Sequence, residues 1–151
     1  MNKAFAEKWL RLLNEDAQAS VDLYADKFFF EDLPLEQEIT DKQELLLAFL
    51  PFVITNPPGP GGVHNLELKE YIGDERMGLI KWIWKGHHTG DFLTIPAVGK
   101  ETVVEGLTFH VYNQEGKIVH ESTCGNMVGA LQQLGVIGQL PHWWKVEKKE
   151  K

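Results

Sequence analysis

Hydrophobic and polar positions change period as the chain proceeds. Phe5, Trp9, Leu12 and Leu13 recur at i, i+4, i+7 and i+8, which puts them on one face of a helix. The polar stretch 14–19 ends that helix, and Ser20 is placed to cap a short second one through Tyr24. Residues 27–31 turn extended, with Phe28, Phe29 and Phe30 in a row, and Asp32-Leu33-Pro34 closes the strand. Thr40-Asp41 followed by Gln43 and Glu44 has the form of a capping box. It opens a third helix through Leu45, Leu46, Phe49 and Leu50, stopped near Pro51.

The stretch 55–63 (TNPPGPGGV) forms a loop, and because it lacks the Gly-Lys-Ser/Thr of a phosphate loop its glycines read as turn-makers. Beyond it the period becomes that of strands. Residues 64–71 alternate and turn at Gly73-Asp74 into three runs, 77–88, 102–112 and 117–125, rich in Ile, Val, Trp, Phe and Thr. The connections 89–101 and 113–116 are short, so these runs pair as an antiparallel meander. Residues 126–137 read as a final short helix, and 145–151 as a solvated charge run. Helices followed by a mostly antiparallel sheet predict an α+β fold: three N-terminal helices on a curved sheet, a cone with one open mouth, in one domain over 1–144. The pocket between helices and sheet is the expected ligand site.

Strand alternation sorts side chains by face. Ile80, Trp82, Trp84 and His88 share one face of their strand and make the better pocket lining; Leu79, Lys81, Ile83, Lys85 and His87 take the other. On the next strand Val104, Thr108, His110 and Tyr112 lie together. On the third, Glu121, Thr123 and Gly125 oppose Ile118, His120, Ser122 and Cys124. Both faces carry apolar residues, and a sheet of that kind also serves as a dimer surface.

Composition narrows the function classes. A net charge of -7 with no basic face argues against nucleic acid and does not favour an anionic membrane. The longest apolar run, 45–54, is too short to span a bilayer and contains Pro51, and the N-terminus has no apolar signal region. The one cysteine, Cys124, excludes an internal disulfide and reads as a small buried apolar residue in a reducing compartment, so a cytoplasmic location is expected.

Four motifs occur in order: Trp84-Lys-Gly-His-His-Thr-Gly-Asp91, Ile95-Pro-Ala-Val-Gly-Lys100, Glu115-Gly-Lys-Ile-Val119 and Leu131-Gln-Gln-Leu-Gly135. In content and spacing the chain resembles the SnoaL-like polyketide cyclases, or ester cyclases, of the nuclear-transport-factor-2-like superfamily. Leu23-Tyr-Ala-Asp26 with Glu31-Asp32 is similar to the Δ5-3-ketosteroid isomerase branch. The resemblance implies a cone-shaped fold, a homodimer, and no metal or organic cofactor. In the cyclases an acidic side chain assists an intramolecular aldol closure; in the isomerases a carboxylate removes a proton next to a carbonyl, and Asp32 falls at its place. Two departures accompany this. Asn126 stands where the cyclases carry an aspartate before the last helix, and Trp9 and Thr108 stand at the isomerase oxyanion positions.

The expected function is proton abstraction next to a carbonyl of an apolar polyketide- or terpenoid-like substrate, with cyclisation or isomerisation. Asp32 is the expected base, raised in pKa by partial burial, or else a turn cap before Pro34. His88 or His110 is the expected oxyanion partner, or else a structural histidine. Trp9, Tyr24, Phe30, Trp82, Trp84, Thr108, Tyr112, Glu121 and Asn126 are the expected substrate contacts. Glu121 either turns inward or sits exposed facing a lysine, and Asn126 either orients a carbonyl or caps the helix. His87 and His88, being adjacent on a strand, point apart and cannot chelate together. The rival readings are a binding protein holding a hydrophobic ligand without chemistry, and a dimerisation module.

Overall fold

The computed structural model describes residues 3–53 and 62–145. Helices α1 (Lys3–Glu15) and α2 (Ala17–Val21) lead into strands β1 (Tyr24–Asp32) and β2 (Gln37–Ile39). Helix α3 (Lys42–Phe49) runs into a 3-10 turn (Leu50–Phe52). Then come β3 (Val63–Gly73), β4 (Met77–His87), β5 (Glu101–Tyr112), β6 (Ile118–Gly125) and helix α4 (Met127–Gln133). The expected α+β class with three N-terminal helices is what forms. The sheet order is β2-β1-β6-β5-β4-β3. Strands β3 to β6 make the antiparallel meander, and β1 joins β6 in parallel.

Helices α1 to α3 bury their apolar sides against one face of this sheet. The main core joins Trp9, Leu10 and Leu13 of α1 to Tyr24, Phe28 and Phe30 of β1, Leu45 and Phe49 of α3, and Ile80, Tyr112 and Ile118. Asn14, expected among the polar residues that end the helix, is buried inside it: its Nδ2 donates to the Leu66 carbonyl at 2.9 Å and its Oδ1 accepts the Leu66 N–H at 2.8 Å. That two-way bond locks α1 onto β3. A smaller core gathers Trp84, Phe92, Ala97, Val104, Ala130 and Leu134 under the 88–100 loop and α4.

Several boundaries differ from expectation. Asp16, not Ser20, caps α2, its carboxylate accepting the Ala19 N–H at 3.0 Å, while Ser20 lies buried inside the helix. Tyr24 therefore belongs to β1, because the Leu23 carbonyl is taken by the Ile118 N–H and Tyr24 pairs with Ile118. The short β2 had no periodic signal; it forms because a turn with Glu36 at φ 52° folds Gln37–Ile39 back on the end of β1. Helix α4 stops well before residue 137, with Gly135 at φ 79°. A bulge in the β5–β6 pairing turns Ile118 to the same face as Glu121, where strict alternation set them apart. Cys124, expected buried, is exposed. Most of the 55–63 loop and of the 145–151 tail lies outside the described residues. No described helix is long and apolar enough to cross a membrane.

Candidate functional site

A cavity of about 360 Å³ opens between the helices and the sheet. Trp9, Leu10 and Leu13 of α1, Phe30 of β1, Phe49 and Phe52, and Trp82, Trp84 and Val104 form its apolar wall. Asp32, Gln37, Thr108, Glu121, Thr123 and Asn126 are the polar side chains that reach it. Two glycines make room. A Cβ on Gly106 would lie 2.2 Å from the Trp82 ring, and one on Gly125 would lie 3.2 Å from it. The indole crosses the bare backbone of β5 and β6, donating its N–H to Thr108 Oγ1 at 2.9 Å. Thr108 Oγ1 in turn meets Thr123 Oγ1 at 2.7 Å.

Parallel pairing of β1 with β6 brings the polar end of the cavity together. Asp32, the last residue of β1, lies opposite Thr123 of β6, and Asn126 follows the last residue of β6. Asp32 Oδ1 accepts the Leu35 N–H at 3.1 Å, so the turn-cap role and the cavity position hold at once. Loss of hydration raises the Asp32 pKa above the usual carboxylate range, the Leu35 hydrogen bond pulls it back, and the charge of Glu121 adds to the rise. Asn126 Oδ1 accepts the Gly129 N–H at 2.9 Å, which caps α4. Asn126 lines the cavity, and its amide nitrogen makes no hydrogen bond within the described residues.

Glu121 turns inward and is 1 % exposed, on the same face of β6 as Thr123 and Gly125 and opposite His110 in regular register, which corrects the exposed placement facing a lysine. Its Oε1 accepts from Tyr24 Oη at 2.5 Å and shares a 2.7 Å hydrogen bond with His110 Nε2. Behind them, Trp9 Nε1 donates to Tyr24 Oη at 3.1 Å, and His110 Nδ1 meets Tyr112 Oη at 3.3 Å. Burial first, and the Glu121 charge second, push the Tyr24 pKa well up. With Oε1 doubly engaged, Glu121 keeps its other oxygen for the cavity it lines.

Of the expected site residues, Asp32, Trp9, Phe30, Trp82, Trp84, Thr108, Glu121 and Asn126 line the cavity. Tyr24, His110 and Tyr112 do not; they sit one layer back, behind Glu121. His88 does not line it either. It is fully buried beside Thr102, its Nε2 3.0 Å from Thr102 Oγ1 and its Nδ1 without a partner among the described residues, and its ring packs on Phe92 and His64. Trp84 Nε1 donates to His64 Nδ1 at 3.0 Å, and burial together with His88 lowers the His64 pKa to about 4. Among the described residues no group of three or more His, Cys, Asp or Glu side chains converges to hold a metal ion.

Periodicity had no means of finding Leu93 at the cavity. It stands in a two-residue turn between Phe92 and Ile95, which exchange backbone hydrogen bonds of 2.8 Å each way. Leu93 and Thr94 hold φ of 48° and 68°, a conformation that costs roughly 1–2 kcal/mol per residue for side chains other than glycine.

Residues 60–134, about half of the chain, match the family model described as SnoaL-like polyketide cyclase. No curated protein matches the sequence. Among solved structures, a proposed SnoaL-like polyketide cyclase from Shewanella denitrificans OS-217 superposes with a TM-score of 0.72 at 11% identity, over 89% of this chain and 97% of that one. AclR from Streptomyces galilaeus, a proposed hydroxylase, gives 0.71 at 17% identity over 93% and 85%. A protein from Catenulispora acidiphila DSM 44928 with a ketosteroid isomerase-like fold, solved with trimethylamine, gives 0.70 at 14% identity over 97% and 100%. At these identities the superpositions speak for the fold alone; the matched segment makes this chain a SnoaL-like protein of the polyketide cyclase family.

Proposed function

We propose that the chain is an enzyme that removes a proton next to a carbonyl of an apolar, polyketide- or terpenoid-like molecule, leading to aldol-type closure or isomerisation. The observation that supports this is the half-buried Asp32 carboxylate on the wall of an apolar cavity, its basicity raised by lost hydration. Asp32 Oδ1 is held by the Leu35 N–H, which leaves Oδ2 for the substrate. The carboxylate takes the α-proton and the electron pair moves onto the carbonyl oxygen. The Asn126 amide N–H and the Thr123 hydroxyl stand at the same end of the cavity to donate to that developing oxyanion. The enolate carbon then attacks a second carbonyl, or is reprotonated at a different position. His88 and His110, expected in the oxyanion role, are displaced from it by their positions; His110 acts through Glu121 as a positioning residue. The apolar residues on the outer face, among them Val103 and Leu107, support the reading as a homodimer.

The test is exchange of α-protons of β-keto esters and aryl ketones in heavy water, followed by NMR. Asp32→Asn is expected to lower the exchange rate by about 10²–10⁴-fold with the fold intact. Asn126→Asp keeps the helix cap through its Oδ1 but loses the N–H donor, and is expected to lower kcat more than it raises KM. Exchange unchanged in Asp32→Asn removes Asp32 from the mechanism. Tight ketone binding by the wild-type protein with no exchange would favour a ligand carrier on the same scaffold.

A further inference from the structure

The turn at Leu93-Thr94 is at odds with its own sequence. Its φ values and the mutual Phe92–Ile95 hydrogen bonds are those of a two-residue hairpin turn in which both central residues are left-handed. Asn-Gly or Gly-Gly suits such a turn; here a leucine and a β-branched threonine occupy it. The strain is held by its base. Phe92 is buried, its ring 5.0 Å from Trp84 and 5.2 Å from His88. Leu93 lines the cavity yet is 47% exposed, which places it at the mouth, together with the exposed Pro34, Leu47 and Pro51. Local strain kept against propensity concentrates at functional positions.

We propose that Leu93 is a specificity-determining residue, its side chain setting the width of apolar substrate that the cavity admits. This rests on the reading of the cavity as a carbonyl-substrate site. The strained backbone serves to hold a branched apolar side chain over the mouth, where a relaxed Asn-Gly turn would leave a polar one. Width, not chemistry, is what Leu93 controls, because it carries no polar group and the proton-transfer residues enter from β1 and β6.

The test is a selectivity ratio measured by quenching of tryptophan fluorescence, with 2-acetylnaphthalene as the narrow ketone and 1-acetylpyrene as the wide one. Leu93→Ala is expected to shift the ratio of the two dissociation constants about tenfold toward the wide ketone, and Leu93→Phe to shift it the other way. Thr94→Gly, which relaxes the turn and keeps Leu93, is expected to raise Tm and leave the ratio unchanged. A ratio that neither Leu93 variant moves, in folded proteins, overturns the role of Leu93 while the cavity reading stands. Failure of the wild-type protein to bind either ketone overturns both. Loss of proton exchange alone, with the ratio still shifted, would overturn the proposed chemistry and leave this inference in place.

Discussion

Removing one oxygen atom from Tyr24 tests the buried network behind the cavity. In Tyr24→Phe the ring keeps its packing on Phe28 at 5.5 Å and Phe49 at 6.0 Å, so no cavity of consequence opens. Two hydrogen bonds are lost. The 2.5 Å bond to Glu121 Oε1 is charge-assisted, a kind that contributes about 1.5–3 kcal/mol. The 3.1 Å bond from Trp9 Nε1 leaves a buried donor unpaired, which costs about 1–3 kcal/mol. The two share one hydroxyl and do not add fully, so a loss near 3 kcal/mol is expected. For a chain of this size that lowers Tm by roughly 6–12 °C. Tyr112→Phe is the control, because its hydroxyl meets His110 Nδ1 at only 3.3 Å and is expected to contribute about 0.5–1.5 kcal/mol. Urea unfolding of both variants, followed by far-UV circular dichroism, gives the comparison. If Tyr24→Phe costs no more than Tyr112→Phe, Glu121 is not held in the way described, and the second carboxylate of the cavity loses its anchor.

Two further outcomes follow from the packing and the titrating groups. The His64 pKa is lowered from 6.5 to about 4, and that of His88 is lowered too, so the unfolded chain binds more protons below pH 6.5. Stability is therefore fully present above pH 6.5 and is lost as pH falls toward 4, by up to about 3 kcal/mol from His64. His64→Gln, which keeps an acceptor for Trp84, should flatten the Tm profile between pH 6.5 and 4.5; an unchanged slope assigns the titration elsewhere. Gly106→Ala drives a methyl group into the Trp82 ring and is expected to cost about 1–3 kcal/mol, with a changed near-UV spectrum. A neutral effect would mean that Trp82 is not fixed across β5 and β6.

The alternation of Ile80, Trp82 and Trp84, and of Val104, Thr108 and His110, was readable because side-chain direction in a strand is set by neighbours two residues away. The same holds for the Asp41 cap, whose partner is three residues on. The apolar runs and their short connections likewise carried the meander, and with it the fold class. What the chain could not announce locally were features made by residues far apart. The Glu121–Tyr24 pair spans 97 positions, and which face of β6 turns inward was decided by its pairing with His110 of β5 and Phe30 of β1. Asp32 meets Thr123 only because β1 crosses over to run parallel with β6. His88 and His110 were chemically suited to the cavity by residue type, yet packing places one beside Thr102 and the other behind Glu121. Leu93-Thr94 goes further, since local preference there argues against the conformation found, and only the buried Phe92 and the closed turn hold it. Local pattern determined the elements, while long-range pairing decided which carboxylates share the cavity, because register and crossover are properties of the assembled sheet and not of any one strand.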